Sequence, residues 1–97
     1  MALKKIGVVG VDAGLIIIGD PGYLIHTEPE PSLGKDWEEF CEFLKGEEGP
    51  TMKQFTFPLG NPGLAVVVSS GFGDGMYPVY AEVEDDVIKR VTIEFFK

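Results

Sequence analysis

Three aspartates that stand beside glycine or proline are the residues best suited to chemistry in this chain. They are Asp12 in D-A-G, Asp20 in G-D-P-G and Asp74 in G-D-G. Such a carboxylate usually accepts hydrogen bonds from nearby backbone amides and fixes a turn. Two of them together would offer oxygen ligands to a divalent cation, or an acid–base pair if one were desolvated. The strand between Asp12 and Asp20 spans roughly 15 Å, so we expect Asp74 to adjoin one of them and not both.

The segment 71–77 is the predicted ligand site. Its sequence, G-F-G-D-G-M-Y, combines an acidic glycine loop with Phe72 and Tyr77. These residues, with Asp12 or Asp20 nearby, would line a pocket for a small ligand or divalent cation, and hydrolysis there is compatible with the residue types. The alternative is that Tyr77 packs in the core, because alternate residues of a strand face opposite sides and only one of Tyr77 and Tyr80 can then be at the surface.

No residue is predicted to be catalytic, and no metal or cofactor is expected. His26 is the only imidazole and Cys41 the only thiol, which excludes a Cys/His zinc site within one chain. No serine lies in a nucleophile elbow, and Cys41 falls on the apolar side of a predicted helix, where a thiol is usually inert packing. The glycines of 7–14 follow the spacing G-x-x-G-x-x-x-G, which is not the dinucleotide fingerprint.

The charge is strongly acidic, with sixteen acids against eight bases and a net charge of −8. Residues 28–48 hold eight of the acids and two bases, which leaves this segment at −6. Such a surface repels a phosphate backbone, so nucleic-acid binding is not expected. The acidic segment either serves solubility or docks a basic protein. The candidate partner-binding residues are Glu38, Glu39 and Glu42.

One amphipathic helix is predicted over residues 36–45. Its apolar residues follow helical spacing on one face and are Trp37, Phe40, Cys41 and Leu44. Asp36 with Glu39 three residues later forms a capping-box pattern, and Gly46 suits the C-terminal end. Phe43 lies off the apolar face. A single helical turn capped by Asp20, with Tyr23, Leu24 and Ile25 packing inward, is also predicted.

The rest of the chain is predicted to form about six strands. They occupy approximately residues 5–11, 15–18, 53–57, 64–70, 77–83 and 88–96. Because the helix interrupts the strands only once, the pattern favours an α+β, mainly β fold: an antiparallel sheet or partly open barrel covered by one helix. The first two strands are predicted to form a hairpin, the fourth to lie mid-sheet, and Pro78 to mark an edge strand or a bulge. At 97 residues, one domain over 1–97 is expected.

Two segments resemble a class of functionally uncharacterised bacterial proteins. They are V-D-A-G-L-I-I-I-G-D-P at 11–21 and G-F-G-D-G-M-Y-P-V-Y at 71–80, which fit the class pattern D-x-G…D-P followed by G-D-G-x-Y-P-V and a final strand hairpin. Because the class is functionally uncharacterised, the resemblance implies no activity for this chain. The resemblance implies only which positions matter most, and these are Asp12, Asp20, Pro21, Gly73, Asp74, Gly75 and Tyr77.

The leading hypothesis is a non-enzymatic protein-binding or regulatory module, immunity-like in that it would bind a basic protein. A homodimer formed through a strand edge or exposed aromatics is a further possibility. The longest apolar run, around 15–18, is far shorter than the roughly 20 residues that span a bilayer, so no membrane association is expected. A single cysteine gives no sign of an oxidising compartment, and a cytoplasmic location is therefore predicted.

Overall fold

A computed structural model describes residues 2–25, 33–34, 36–45 and 49–96. Within these ranges the chain forms six strands and two short helices, in the order β1 (Ala2–Val11), β2 (Leu15–Gly19), α1 (Pro21–Leu24), α2 (Trp37–Phe43), β3 (Met52–Thr56), β4 (Pro62–Ser69), β5 (Gly75–Glu84) and β6 (Val87–Ile93). All strand pairs are antiparallel, and they make two three-stranded sheets. The predicted mainly β, α+β class is confirmed.

The chain divides into two compact units. The first contains residues 2–14 and 70–96, with the sheet β1-β5-β6. The second contains the described residues between 15 and 69, with the sheet β2-β4-β3 and both helices. Whether the two units behave as the one domain predicted from chain length stays a prediction.

In the first unit, the alternation of β5 sorts its side chains onto two faces. Tyr77 and Ala81 are buried on one face, and Val11 of β1 is buried at the end of the same ladder. Period-two alternation over β5 and β6 predicts this arrangement. β1 carries a bulge at Ile6, between the pairs that Lys5 and Gly7 make with β5.

Pro78 lies in the central strand of the first sheet, so the predicted edge position is wrong. Its carbonyl oxygen accepts a hydrogen bond from Glu94 N at 3.2 Å, just beyond the last β5–β6 pair, Val79 with Ile93. The reciprocal bond needs an N–H that proline lacks. The ladder between β5 and β6 therefore ends at Pro78, which explains how a central strand accommodates it.

The β5–β6 hairpin closes with a two-residue turn between Glu84 and Val87. Asp85 and Asp86 both have positive φ angles, 53° and 62°. Two successive residues in this region are typical of a type I′ turn, whose twist matches that of the strands it joins. Aspartate tolerates the left-handed conformation better than most residues, which is consistent with its use here.

In the second unit, β4 lies between β2 and β3, as its apolar run predicts. Its residues Leu64, Ala65 and Val67 are buried with Phe55 of β3 and form the core. Partly buried side chains from β2, from both helices and from neighbouring loops pack against this core, and they are Leu15, Leu24, Leu33, Phe40, Leu44 and Phe57. The amphipathic helix therefore covers the sheet through Phe40 and Leu44.

Both helices begin at the predicted caps. The Asp36 carboxylate accepts a hydrogen bond from Glu39 N at 2.9 Å, and the Asp20 carboxylate accepts one from Gly22 N at 2.7 Å. Gly46, the predicted helix end, lies outside the described residues. Leu24 packs inward as predicted. Tyr23 is 51% exposed, with its ring edge-on to Phe57, and Ile25 is 77% exposed, so the prediction is wrong for these two residues.

The predicted hairpin between the first two strands is also wrong. β1 pairs with β5, whereas β2 pairs with β4. The residues Asp12, Ala13 and Gly14 form a bend, and Gly14 has a positive φ of 71°. However, β1 forms nine residue pairs with β5, whereas a hairpin with β2 could form at most five because β2 has only five residues. Long-range pairing therefore overrides the local turn signal.

Candidate functional site

The loop at 71–76 is closed by two buried hydroxyl groups that donate to one carbonyl oxygen. Ser70 Oγ donates to Gly73 O at 2.6 Å, and the Tyr77 hydroxyl donates to the same oxygen at 2.8 Å. Both Ser70 and Tyr77 are almost completely buried. Their polar atoms are thus satisfied within the loop, as buried hydroxyls require. The sequence identifies Tyr77 as a candidate site residue but gives no signal that Ser70 donates to the same carbonyl oxygen.

Tyr77 is a core residue of the first unit rather than an exposed wall of a pocket. Only 1% of its surface is exposed, and its ring meets Phe95 edge-on with centroids 5.5 Å apart. Tyr80 lies on the opposite face of β5 and is half-buried. The structure therefore places Tyr77 in the core, as the alternative to a pocket position proposed. Whether Tyr77 contributes to a ligand site stays a prediction.

Asp12 and Asp74 lie at the same end of the first sheet. Val11 and Gly75 are the last pair of the β1–β5 ladder, and the two aspartates are the next residue on each strand. Both side chains are exposed, and Phe72, two residues before Asp74 in the chain, is 68% exposed. Of the predicted ligand site, the structure therefore places two exposed carboxylates at one end of the sheet, one after β1 and one in the 71–76 loop.

Asp20 has a structural task in the second unit, since its carboxylate caps α1 through Gly22 N. It thus follows the usual behaviour of an aspartate beside proline and glycine. Its predicted association with the 71–77 loop stays a prediction. Among the described residues, no group of three or more His, Cys, Asp or Glu side chains is placed to hold a metal ion.

The outer side of α2 carries the three predicted partner-binding glutamates. Glu38 and Glu42 are exposed and Glu39 is half-buried. Lys45 Nζ lies 2.8 Å from Glu42 Oε1, in an ion pair whose side chains are both largely exposed. Because water screens such a pair, it removes little of the acidic character of the helix. The helix therefore presents a negative surface next to the core of the second unit.

Two aromatic side chains extend this acidic surface. Trp37, predicted to be buried, is 58% exposed, and its ring stacks on Phe40 at 5.5 Å. It is the first residue of α2. Phe43, the predicted misfit, is 39% exposed and meets the Phe55 ring edge-on at 6.2 Å. We call Trp37, Glu38, Glu39, Glu42 and Phe43 the α2 surface.

Cys41 lies on the inner side of α2 and is half-buried, as the amphipathic pattern predicts. His26, the only imidazole in the sequence, lies outside the described residues. The thiol therefore has the environment of a packing residue.

Comparisons of this chain with protein-family models, curated proteins and solved structures find no match. The resemblance to the uncharacterised bacterial class stays a prediction. In the described part of the chain, neither helix is long and apolar enough to cross a membrane.

Proposed function

We propose that this protein is a non-enzymatic module that binds a basic partner protein through the α2 surface. A regulatory or immunity-like role, in which a basic protein is recognised or masked, fits this chemistry. The observation that carries the proposal is a tryptophan more than half exposed on the same short helix as three glutamates. Exposed tryptophan is enriched at protein interfaces and at their energetic hot spots.

The partner's charge follows from the groups around Trp37. An indole ring attracts a lysine or arginine cation over its face, and the gain increases when the contact is desolvated. Glu38 and Glu42, one helical turn apart, add Coulomb attraction for the same cation. The net charge of −8 would in addition speed the approach of a basic partner at low salt. Aromatic and acidic groups therefore select the same class of ligand.

Neutralising part of the α2 surface is expected to weaken binding of lysine- and arginine-rich peptides. Glu38→Gln with Glu42→Gln should raise the dissociation constant about tenfold in 0.1 M salt, because two exposed ion pairs are lost. In 1 M salt, where the Debye length falls from about 10 Å to about 3 Å, wild type and variant should become similar. Fluorescence anisotropy of a labelled peptide panel measures both effects.

The matched control is Glu84→Gln with Glu94→Gln, which removes the same charge from the first unit. Peptide affinity should stay within about twofold of wild type, since these carboxylates lie outside the α2 surface. Equal weakening by both double variants would show that only bulk charge matters and would contradict the proposed surface. An absence of binding by every basic peptide at low salt would do the same.

A second candidate function, a small-ligand or divalent-cation site at the 71–77 loop, is favoured by the placement of Asp12 and Asp74 at one sheet end. Millimolar Ca²⁺ or Mg²⁺ should then raise the melting temperature, because a ligand that binds only the folded state stabilises it. Asp74→Asn should abolish that shift while leaving the metal-free melting temperature unchanged. No shift in the wild type would exclude the cation version of this candidate.

The location proposed for this activity is the cytoplasm. Cys41 is the only cysteine, so the chain has no intramolecular disulfide to maintain in an oxidising compartment.

Self-association is an alternative use of the exposed aromatic residues of the α2 surface. Sedimentation at increasing protein concentration would reveal it, and basic peptides that occupy those aromatics should reduce it.

A further inference from the structure

A surface pocket of about 260 Å³ lies beside α2, in the second unit. One aromatic residue of α2 and four consecutive residues of β3 line it, and these are Phe43, Lys53, Gln54, Phe55 and Thr56. The Phe43 and Phe55 rings meet edge-on there, with centroids 6.2 Å apart. The pocket therefore has an aromatic wall contributed by the α2 surface.

The identity of the lining residues places the pocket along the edge of β3. Successive side chains of a strand face opposite sides of its sheet, so a pocket on one face would be lined by alternate residues only. Here four consecutive residues contribute, and no residue of the neighbouring β4 does. The pocket thus opens at the edge of the strand that points away from β4.

That edge has hydrogen-bonding capacity to offer. β3 is a terminal strand of the sheet β2-β4-β3 and, in the part of the chain that the structure describes, pairs only with β4. Alternate residues of such a strand direct N–H and C=O groups outward, and an extended peptide can pair with them as an added strand. An edge strand beside a helix with a pocket between them is the geometry that recognises peptides in this way.

We propose that this groove binds an extended segment of the partner protein, which adds to β3 as a fourth strand of the second sheet. An apolar side chain of the segment enters the pocket against Phe43 and Phe55. Lysine or arginine residues of the segment face the carboxylates of α2. The proposal rests on the proposed function and specifies which surface and which kind of partner segment it uses.

Charge complementarity defines the positions of the basic residues. Glu39 and Glu42 precede Phe43 by four and by one residue, so the helix side of the pocket is acidic. Lys53, half-buried, belongs to the strand side of the pocket. A cation inside the pocket would be repelled by Lys53, whereas cations on the helix side would be attracted. The segment is therefore apolar at its centre and basic on the side that faces α2.

The test uses a panel of nine-residue peptides that alternate lysine with valine and vary the central residue. A central leucine or phenylalanine should bind at least tenfold more tightly than a central glycine or lysine. Phe43→Ala should weaken the best peptide about tenfold, as loss of an interface anchor does. The control Phe96→Ala removes a 65% exposed phenylalanine of the first unit that belongs to no candidate site, and it should leave affinity unchanged.

Strand addition makes a second prediction that a simple surface contact does not. Methylating the peptide's backbone nitrogens one at a time should weaken binding several-fold at alternate positions and leave the others unaffected, because only alternate N–H groups of the segment face β3. Isotope-edited NMR should show the largest amide shifts in Met52–Thr56. A period-two pattern together with the Phe43 effect supports the groove.

The outcomes separate this inference from the proposed function. Binding that depends on Glu38 and Glu42 but not on Phe43 or on peptide N-methylation overturns the groove and leaves the acidic surface in place. Binding of apolar strands that ignores Glu38 and Glu42 supports the groove and overturns the basic partner. A concentration-dependent dimer that Phe43→Ala disrupts, with no peptide binding, would show that a second copy of this chain is the occupant and overturns the proposal.

Discussion

Phe55→Ala is expected to lower the free energy of unfolding by about 3–5 kcal/mol, the usual effect of removing a buried phenylalanine. Phe55 is 5% exposed and belongs to the core cluster with Leu64, Ala65 and Val67. Its ring also stacks on Phe40, with centroids 5.7 Å apart. The truncation would leave a cavity between the sheet and α2 that a strand-anchored backbone closes only in part. Loss on this scale is a large share of the ~5–15 kcal/mol typical of a small domain.

Urea unfolding followed by circular dichroism and by tryptophan fluorescence measures this effect. Trp37 is the only tryptophan and stacks on Phe40, so its emission reports whether α2 stays on the sheet. The control Phe72→Ala, at a residue 68% exposed, should change stability by less than about 0.5 kcal/mol. Similar losses from the two variants would contradict the core assigned to the second unit.

Local patterns predict the secondary structure of this protein well. Alternation identifies β5 and β6, the apolar run on both faces identifies β4 as a central strand, and the capping-box pattern places the start of α2. Each of these signals depends on neighbours within a few residues. The sequence alone is therefore sufficient to assign the mainly β class.

Strand partners could not be predicted in the same way. The turn at residues 12–14 predicts a β1–β2 hairpin, yet β1 pairs with β5, more than sixty residues away in sequence. Which strands pair depends on the total hydrogen bonding and side-chain burial along both strands, and a local turn sequence carries no information about that total. Pro78 shows the same limit, because its place in a central strand depends on where the β5–β6 ladder ends.

The candidate sites, like the fold, are predicted from the sequence only in part. The acidic residues of α2 are visible in the sequence. The helical spacing places Trp37 on the apolar face, and only the structure shows that it is 58% exposed. Likewise, Phe43 can be assigned to a binding groove only because the structure shows that β3, an edge strand of the second sheet, lies beside it. Sequence reasoning finds the charges of the α2 surface, and the structure adds its aromatic residues and the adjoining groove.

Gly71→Ala is expected to lower the free energy of unfolding by about 2–4 kcal/mol, although it adds a single methyl group. Gly71 has a φ of +59°, which disfavours any residue with a Cβ atom. An added Cβ would also stand 2.9 Å from both the Cβ and the carbonyl oxygen of Phe95. Since Phe95 packs edge-on against buried Tyr77, relieving this contact would disturb the core of the first unit.

Gly73→Ala is the control that separates backbone strain from steric overlap. Gly73 also has a positive φ, +87°, but an added Cβ there meets no atom within 4 Å. Gly73→Ala should lower the free energy of unfolding by about 1–2 kcal/mol, the ordinary penalty for a residue with a Cβ atom in the left-handed region. Thermal unfolding, with near-ultraviolet circular dichroism to follow Tyr77, measures both variants. If Gly71→Ala costs no more than Gly73→Ala, Phe95 does not pack on the loop, and the closed conformation described for residues 71–76 is wrong.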